Sequence, residues 1–86
     1  MQIVVRTADR IHQGKLDLDP GVEAATTVGD LVTVLRDNFK LPATTDYFIR
    51  SDRLGSQLDA RLTLIKADVK DGDVLEIAPI LQAGYE

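Results

Sequence analysis

The chain has no cysteine, no tryptophan and a single histidine among its 86 residues. Without cysteine there are no disulfides, no thiolate metal sites and no thiol nucleophiles. With His12 as the lone imidazole, a zinc site would have to take its other ligands from carboxylates, so no metal is expected. Basic residues number 10 against 14 acidic ones, a formal net charge of −4, and they are scattered along the chain. That balance lacks the concentrated positive field that nucleic acid or an anionic membrane surface requires. No apolar run approaches the roughly 20 residues needed to span a bilayer. The opening Met1-Gln2-Ile3-Val4-Val5 has no basic region or cleavage site of a secretory signal, so the expected address is the cytoplasm. What is present suits one small globular domain: 44% hydrophobic and 28% charged residues.

Residues 1–8 alternate, with Ile3 and Val5 on one face and Gln2, Val4 and Arg6 on the other, which predicts a strand with one buried face. A turn at Ala8-Asp9-Arg10 leads into a second alternating stretch over residues 11–19, with Leu16 and Leu18 inward. His12 falls early in that strand, as a surface residue, and Gly14 within it suggests a bulge. Pro20-Gly21 ends the hairpin. Thr27 is then an N-cap with Asp30 three residues on, a shortened capping box. Val28, Leu31, Leu35 and Phe39 make one apolar stripe, so a helix is expected over residues 28–40, stopped by Pro42.

Tyr47–Ser51 reads as a third strand, followed by a turn in which Gly55 is free to take positive φ and an extended piece around Leu58. Leu62, Leu64 and Ile65 suggest a brief helical turn before Val69. Lys70-Asp71-Gly72-Asp73 is a turn, and Val74–Pro79 a last strand with Leu75 and Ile77 inward. One apolar helix stripe is buried only against a sheet, so the expected class is α+β in two layers. A right-handed crossover and a mixed sheet of four to five strands, with one main helix on one face, give a β-grasp over residues 1–79. Because Pro79 cannot donate to a ladder, pairing is expected to fade there. Residues 80–86 are then expected to be a mobile, extended tail, of which residues 80–84 reach roughly 16 Å at about 3.3 Å per residue.

The run Met1-Gln2-Ile3-Val4-Val5-Arg6-Thr7, the capped helix, and the Asp71-Gly72-Asp73 turn followed by a strand and a small-residue tail resemble the ubiquitin-like superfamily over essentially the whole chain. The prokaryotic modifiers are the nearest branch. The turn, last strand and tail are also similar to the sulfur carriers of thiamine and molybdopterin synthesis. The resemblance implies a substrate of enzymes rather than an enzyme, with no cofactor of its own and monomeric when free. In such proteins an ATP-using activating enzyme of the E1 type joins the C-terminal carboxylate to AMP. The acyl group then passes through thioesters, by way of a conjugating enzyme of the E2 type, to an amine or hydroxyl of a target protein.

The glycine implied to carry this chemistry is Gly84, whose missing Cβ lets the backbone thread a narrow channel and leaves its carbonyl open to attack. Ala83 stands where ubiquitin-type relatives carry another glycine, a mild departure that would tune which activating enzyme accepts the tail. Tyr85 and Glu86 are the larger departure. They read as a precursor extension, cut after Gly84 by a zinc-dependent JAB-type or other deubiquitinase-like peptidase. Two other roles stay open. One is a sulfur carrier with Gly84 as a thiocarboxylate; the other is a ubiquitin-like module that only binds partners.

Phe48 takes the opposite face from Tyr47 and Ile49, and by position Phe48 and Ala78 resemble the centre of the family's partner surface. Lys15, Lys40, Lys66 and Lys70 are read as solvated charge, since no spacing favours one of them as an acceptor for further copies. Asp68, Asp71, Asp73 and Glu76 lack the spacing of a calcium loop, and turn chemistry accounts for Asp71 and Asp73. There is no nucleophile–base pattern and no phosphate-cradling glycine loop, so no catalytic residue is assigned.

Overall fold

A computed structural model describes residues 1–80. The elements run β1 (Gln2–Thr7), β2 (Gln13–Asp17), α1 (Pro20–Ala25), α2 (Val28–Asn38), β3 (Tyr47–Ser51), β4 (Ser56–Gln57) and β5 (Val74–Pro79). The strands form one mixed 5-stranded sheet in the order β2-β1-β5-β3-β4. β1 and β5 are parallel and the other pairs antiparallel, so the first and last strands of the chain are neighbours inside the sheet. The α+β class follows as expected.

Alternation decides which face is buried. Ile3 and Val5 of β1, Ile49 of β3, and Leu75 and Ile77 of β5 share one face and are at most 2% exposed. Val28, Leu31 and Leu35 of α2 join the same cluster, and Leu58, Leu64 and Val69 enter it from the connection between β4 and β5. Tyr47 and Phe39 pack at its margin.

α2 begins with the capping box expected from the sequence. The Asp30 N–H donates to Thr27 Oγ1 at 3.1 Å, and the Thr27 N–H donates to Asp30 Oδ2 at 3.2 Å. The N–H groups of Val28 and Gly29 are bonded to the carbonyls of Leu62 and Ala60, each at 2.9 Å. First-turn donors that a helix leaves unsatisfied are thus met by Thr27 and the 60–62 loop. Thr27→Ala is expected to cost about 1 kcal/mol, seen as a lower urea midpoint with an unchanged slope.

Several expectations need correction. α2 ends at Asn38 rather than Lys40, because Lys40 turns left-handed at φ 54°. There the N–H of Lys40 bonds the Asp37 carbonyl at 3.3 Å and that of Leu41 bonds the Arg36 carbonyl at 2.9 Å. This is a Schellman cap with lysine in the place glycine usually takes, and it reverses the chain before Pro42 is reached. Pro20-Gly21 does not simply end the hairpin: Pro20 opens α1, where its fixed φ suits the first helical position. Gly14 makes no bulge, since the β1–β2 register runs unbroken through Val5↔Gly14, and His12 lies just before β2. The brief helical turn expected at Leu62, Leu64 and Ile65 is a run of hydrogen-bonded turns, with the Ala67 N–H on the Thr63 carbonyl at 2.8 Å.

Pairing also continues through Pro79 instead of fading. Tyr47 pairs with Pro79, and the Ile80 N–H donates to the Asp46 carbonyl at 2.8 Å. Even-numbered residues of β5 therefore aim their amides at β3, while odd-numbered ones face β1, as the Ala8 N–H bond to the Ile77 carbonyl confirms. The donor Pro79 lacks would point past the last β1–β5 pair, Thr7↔Ile77, so no ladder bond is lost.

The turn before β5 is held by charge. Gly72 takes φ +84° and the Asp73 N–H returns to the Lys70 carbonyl at 3.1 Å. The Asp73 carboxylate, 4% exposed, takes Arg53 Nε at 2.8 Å, Arg53 Nη2 at 3.2 Å and the Lys70 N–H at 2.9 Å. Burial pushes the Asp73 carboxyl up, but the bonds from Arg53 and Lys70 outweigh it and hold the group below the ordinary aspartate value. A lowered folded-state pKa means stability that is fully present above the unfolded value, about 3.9, and is lost as pH falls through the folded value. Asp73→Asn should therefore flatten the acid limb of a stability-versus-pH curve below about pH 4.

No helix among the described residues is long and apolar enough to cross a membrane.

Candidate functional site

The face of the sheet opposite the core carries Val4 and Arg6 from β1, Val74, Glu76 and Ala78 from β5, and Phe48 and Arg50 from β3, by the same alternation. Register sorts them into rows. Val4 lies beside Val74, Arg6 and Arg50 flank Glu76, and Phe48 lies opposite Ala78. Arg6 Nε bonds Glu76 Oε2 at 3.1 Å, and Arg6 Nη2 stands 3.7 Å from Asp52 Oδ1. A charged row thus separates two apolar ends.

The β3–β5 register sets Phe48 directly opposite Ala78. Both are half-buried, and Phe48 takes no part in the core cluster that holds its neighbour Ile49 and against which Tyr47 packs. Ile80, two residues beyond Ala78 on the same strand phase, is 40% exposed. The sequence reading assigned Ile80 to the tail; the continued pairing beyond Pro79 places it in this patch. Aromatic Phe48, Ala78 and Ile80 make a small apolar surface at the end of the sheet where β5 leaves it. Arg50 stands one row away.

Gly84, Ala83 and Tyr85, expected to carry activation and processing, lie outside the described residues. Their root is defined: β5 is paired on both sides, by β1 and by β3. On the core-facing side of that root lies a feature the sequence did not reveal, a groove of about 540 Å³ whose lining includes Ala8, Leu41, Pro42, Tyr47, Ile77 and Pro79. The Tyr47 hydroxyl donates to the Pro42 carbonyl at 2.9 Å and so ties the post-helix loop to β3 along this groove. Only long-range folding joins these segments. The apolar pair Leu41-Pro42, just beyond a helix and not needed to end it, is the one local hint.

The remaining candidates have structural occupations. Asp71 Oδ1 accepts the Gln2 N–H at 2.7 Å, and Asp68 pairs with Lys70 Nζ at 3.1 Å, so the acids near the turn serve β1 and their own loop. The His12 ring stacks on Phe39, centroids 5.6 Å apart, joining the hairpin loop to the end of α2. Lys15, Lys40, Lys66 and Lys70 are all exposed. No family model matches the chain, and no curated protein matches it.

Proposed function

We propose that the chain is a ubiquitin-like protein of the β-grasp fold and a cytoplasmic protein modifier of prokaryotic type, acted on by enzymes rather than being one. The observation that carries this reading is the placement of β5. The strand leading to the glycine-bearing tail is clamped on both sides, parallel to β1 and antiparallel to β3, with the capped helix α2 on the core side. A rigid root under a short terminal segment suits a handle presented to other enzymes. The resemblance of the opening strand, turn and tail supports the same conclusion.

The chemistry runs in four steps. Water cleaves the Gly84–Tyr85 peptide bond in a deubiquitinase-like peptidase, releasing the Tyr-Glu dipeptide. The Gly84 carboxylate attacks the α-phosphate of ATP in an activating enzyme, giving the acyl-adenylate and pyrophosphate. An enzyme thiol displaces AMP, and transfer to a conjugating enzyme's thiol follows. A target amine or hydroxyl finally displaces the thiol, leaving an amide or ester at Gly84.

Phe48, Ala78 and Ile80 are the surface these partners would read. Phe48→Ala should weaken binding to the activating enzyme about tenfold or more, an effect of roughly 1.4 kcal/mol, while the unfolding free energy moves by less than about 1 kcal/mol. A large loss of stability instead would place Phe48 in the core.

Intact-mass spectrometry of the protein recovered from its native cells tests the function. Loss of the Tyr-Glu dipeptide and higher-mass conjugates are expected. A free chain in which sulfur replaces one terminal oxygen would make it a sulfur carrier. A chain keeping Tyr85 and Glu86 with no adduct would leave only a binding module.

A further inference from the structure

β2 is an outer strand: among the described residues it pairs with β1 alone. The ladder decides which of its backbone groups face outward. The Leu18 N–H donates to the Met1 carbonyl at 2.7 Å, and the Thr7 N–H to the His12 carbonyl at 3.0 Å. Bonded positions of an antiparallel pair recur at every second residue, so His12, Gly14, Leu16 and Leu18 direct their amides and carbonyls at β1. Gln13, Lys15 and Asp17 therefore aim theirs at the open edge, and all three are exposed. Neither Lys15 nor Asp17 has an ion-pair partner among the described residues. The backbone stays extended as far as Asp19, at φ −71° and ψ 152°.

Charge on an edge strand ordinarily keeps other strands away. The spacing of Lys15 and Asp17 does the reverse for one occupant, a second copy of the same strand. In a two-fold antiparallel pairing, outward-directed residues must stand opposite outward-directed ones. Centred on Lys15 or on Asp17, such a pairing sets a charge against its own copy and is repelled. Centred on Gly14, it gives Lys15 only Gln13. Centred on Leu16, it sets Lys15 opposite Asp17 of the second copy, and Asp17 opposite Lys15, so both charges are met. The core-facing side fits the same register. Leu16 meets its own copy there, and Leu18 lies over Gly14 of the second copy, where a side chain would find nothing within 4 Å. Leu16 and Leu18 are only half-buried at the margin of the core, and this contact would cover them further.

We propose that the chain self-associates through β2, as a two-fold dimer centred on Leu16 in which the two sheets continue into one. This departs from the monomer that the family resemblance implies, and it does not rest on the modifier reading. The contact is short and therefore weak, with a dissociation constant of about 0.1–1 mM. Its axis stands perpendicular to the sheet, so the outer faces of both copies lie on the same side. No residue of β3 or β5 takes part, and the dimer presents the apolar pair Phe48 and Ala78 twice.

Sedimentation equilibrium of the full chain tests this, with the average mass expected to rise above 9.4 kDa as the concentration approaches about 1 mM. Lys15→Asp and Asp17→Lys each set like charges opposite one another, and each should weaken association by at least about tenfold. Mixed in equal amounts, the two variants restore both opposite-charge pairs and should associate at least as well as the unaltered chain. The double variant with both substitutions should do the same. Both positions are exposed on an outer strand, and recovery in the mixture shows directly that the single variants are folded. A mass that stays at the monomer value throughout overturns the proposal. Association undiminished in the single variants overturns it as well, by giving the contact to another face. A mixture that stays monomeric while the unaltered chain associates refutes the register centred on Leu16.

Discussion

Under the proposed function, Gly84→Val is expected to abolish formation of covalent conjugates, by at least about a hundredfold in rate, while the unfolding midpoint stays where it was. A hundredfold loss corresponds to about 2.7 kcal/mol of transition-state stabilisation. Steric access to one carbonyl carbon is reason enough for an effect of that size. In the proposed pathway each transfer step has a nucleophile approaching the terminal carbonyl, and a β-branched side chain beside it would crowd the path and stiffen the backbone that must thread an enzyme channel. Stability is expected to hold because, among the described residues, every core residue lies between Ile3 and Ile77. The contrast with Ala83→Gly is instructive: adding the second glycine of ubiquitin-type relatives should leave conjugation intact and broaden the choice of activating enzyme. If Gly84→Val still forms conjugates at the normal rate, the carboxyl end is not the handle.

Leu75→Ala is the second large effect, in the fold rather than the chemistry. Leu75 is fully buried on β5, paired with Val5 of β1 on one side and Ser51 of β3 on the other. Truncating it removes apolar contacts shared by both halves of the sheet and leaves a cavity where neither neighbour can collapse far. The cost is about 3–4 kcal/mol, against a total of roughly 5–10 kcal/mol for a domain this small. Urea denaturation should show the midpoint falling by about half, with the variant partly unfolded at 37 °C. A loss below about 1 kcal/mol would mean that β5 does not hold the centre of the sheet.

Much of this architecture could be read before the structure was known, for physical reasons that differ by element. β1, β3 and β5 are legible because one buried face imposes a period of two, seen in Ile3 and Val5 and again in Leu75 and Ile77. The start of α2 is legible because Thr27 and Asp30 satisfy backbone donors locally. Its end was misplaced because the reversal uses Lys40 in a conformation usually left to glycine, with no chemical marker in the sequence. α1 was missed because it buries no residue and has no side-chain cap, so neither periodicity nor capping announces it. Pro79 misled for the opposite reason. The rule against proline in a ladder holds only where the missing donor faces a partner strand, and that depends on register, which a sequence does not display.

The candidate site divides in the same way. Phe48 and Ala78 were legible as outward residues from alternation alone, but their meeting across β3 and β5 is a matter of pairing register. Ile80 and the groove beside Pro79 emerge only when the α2–β3 loop is folded back over the sheet end.

The most direct test is tandem mass spectrometry of conjugates isolated from native cells, read at the linkage itself. A bond from the Gly84 carbonyl to a lysine amine or a hydroxyl of another protein is the predicted result. Conjugates joined through any other residue, or a chain always found with Tyr85 and Glu86 in place and unattached, would contradict it.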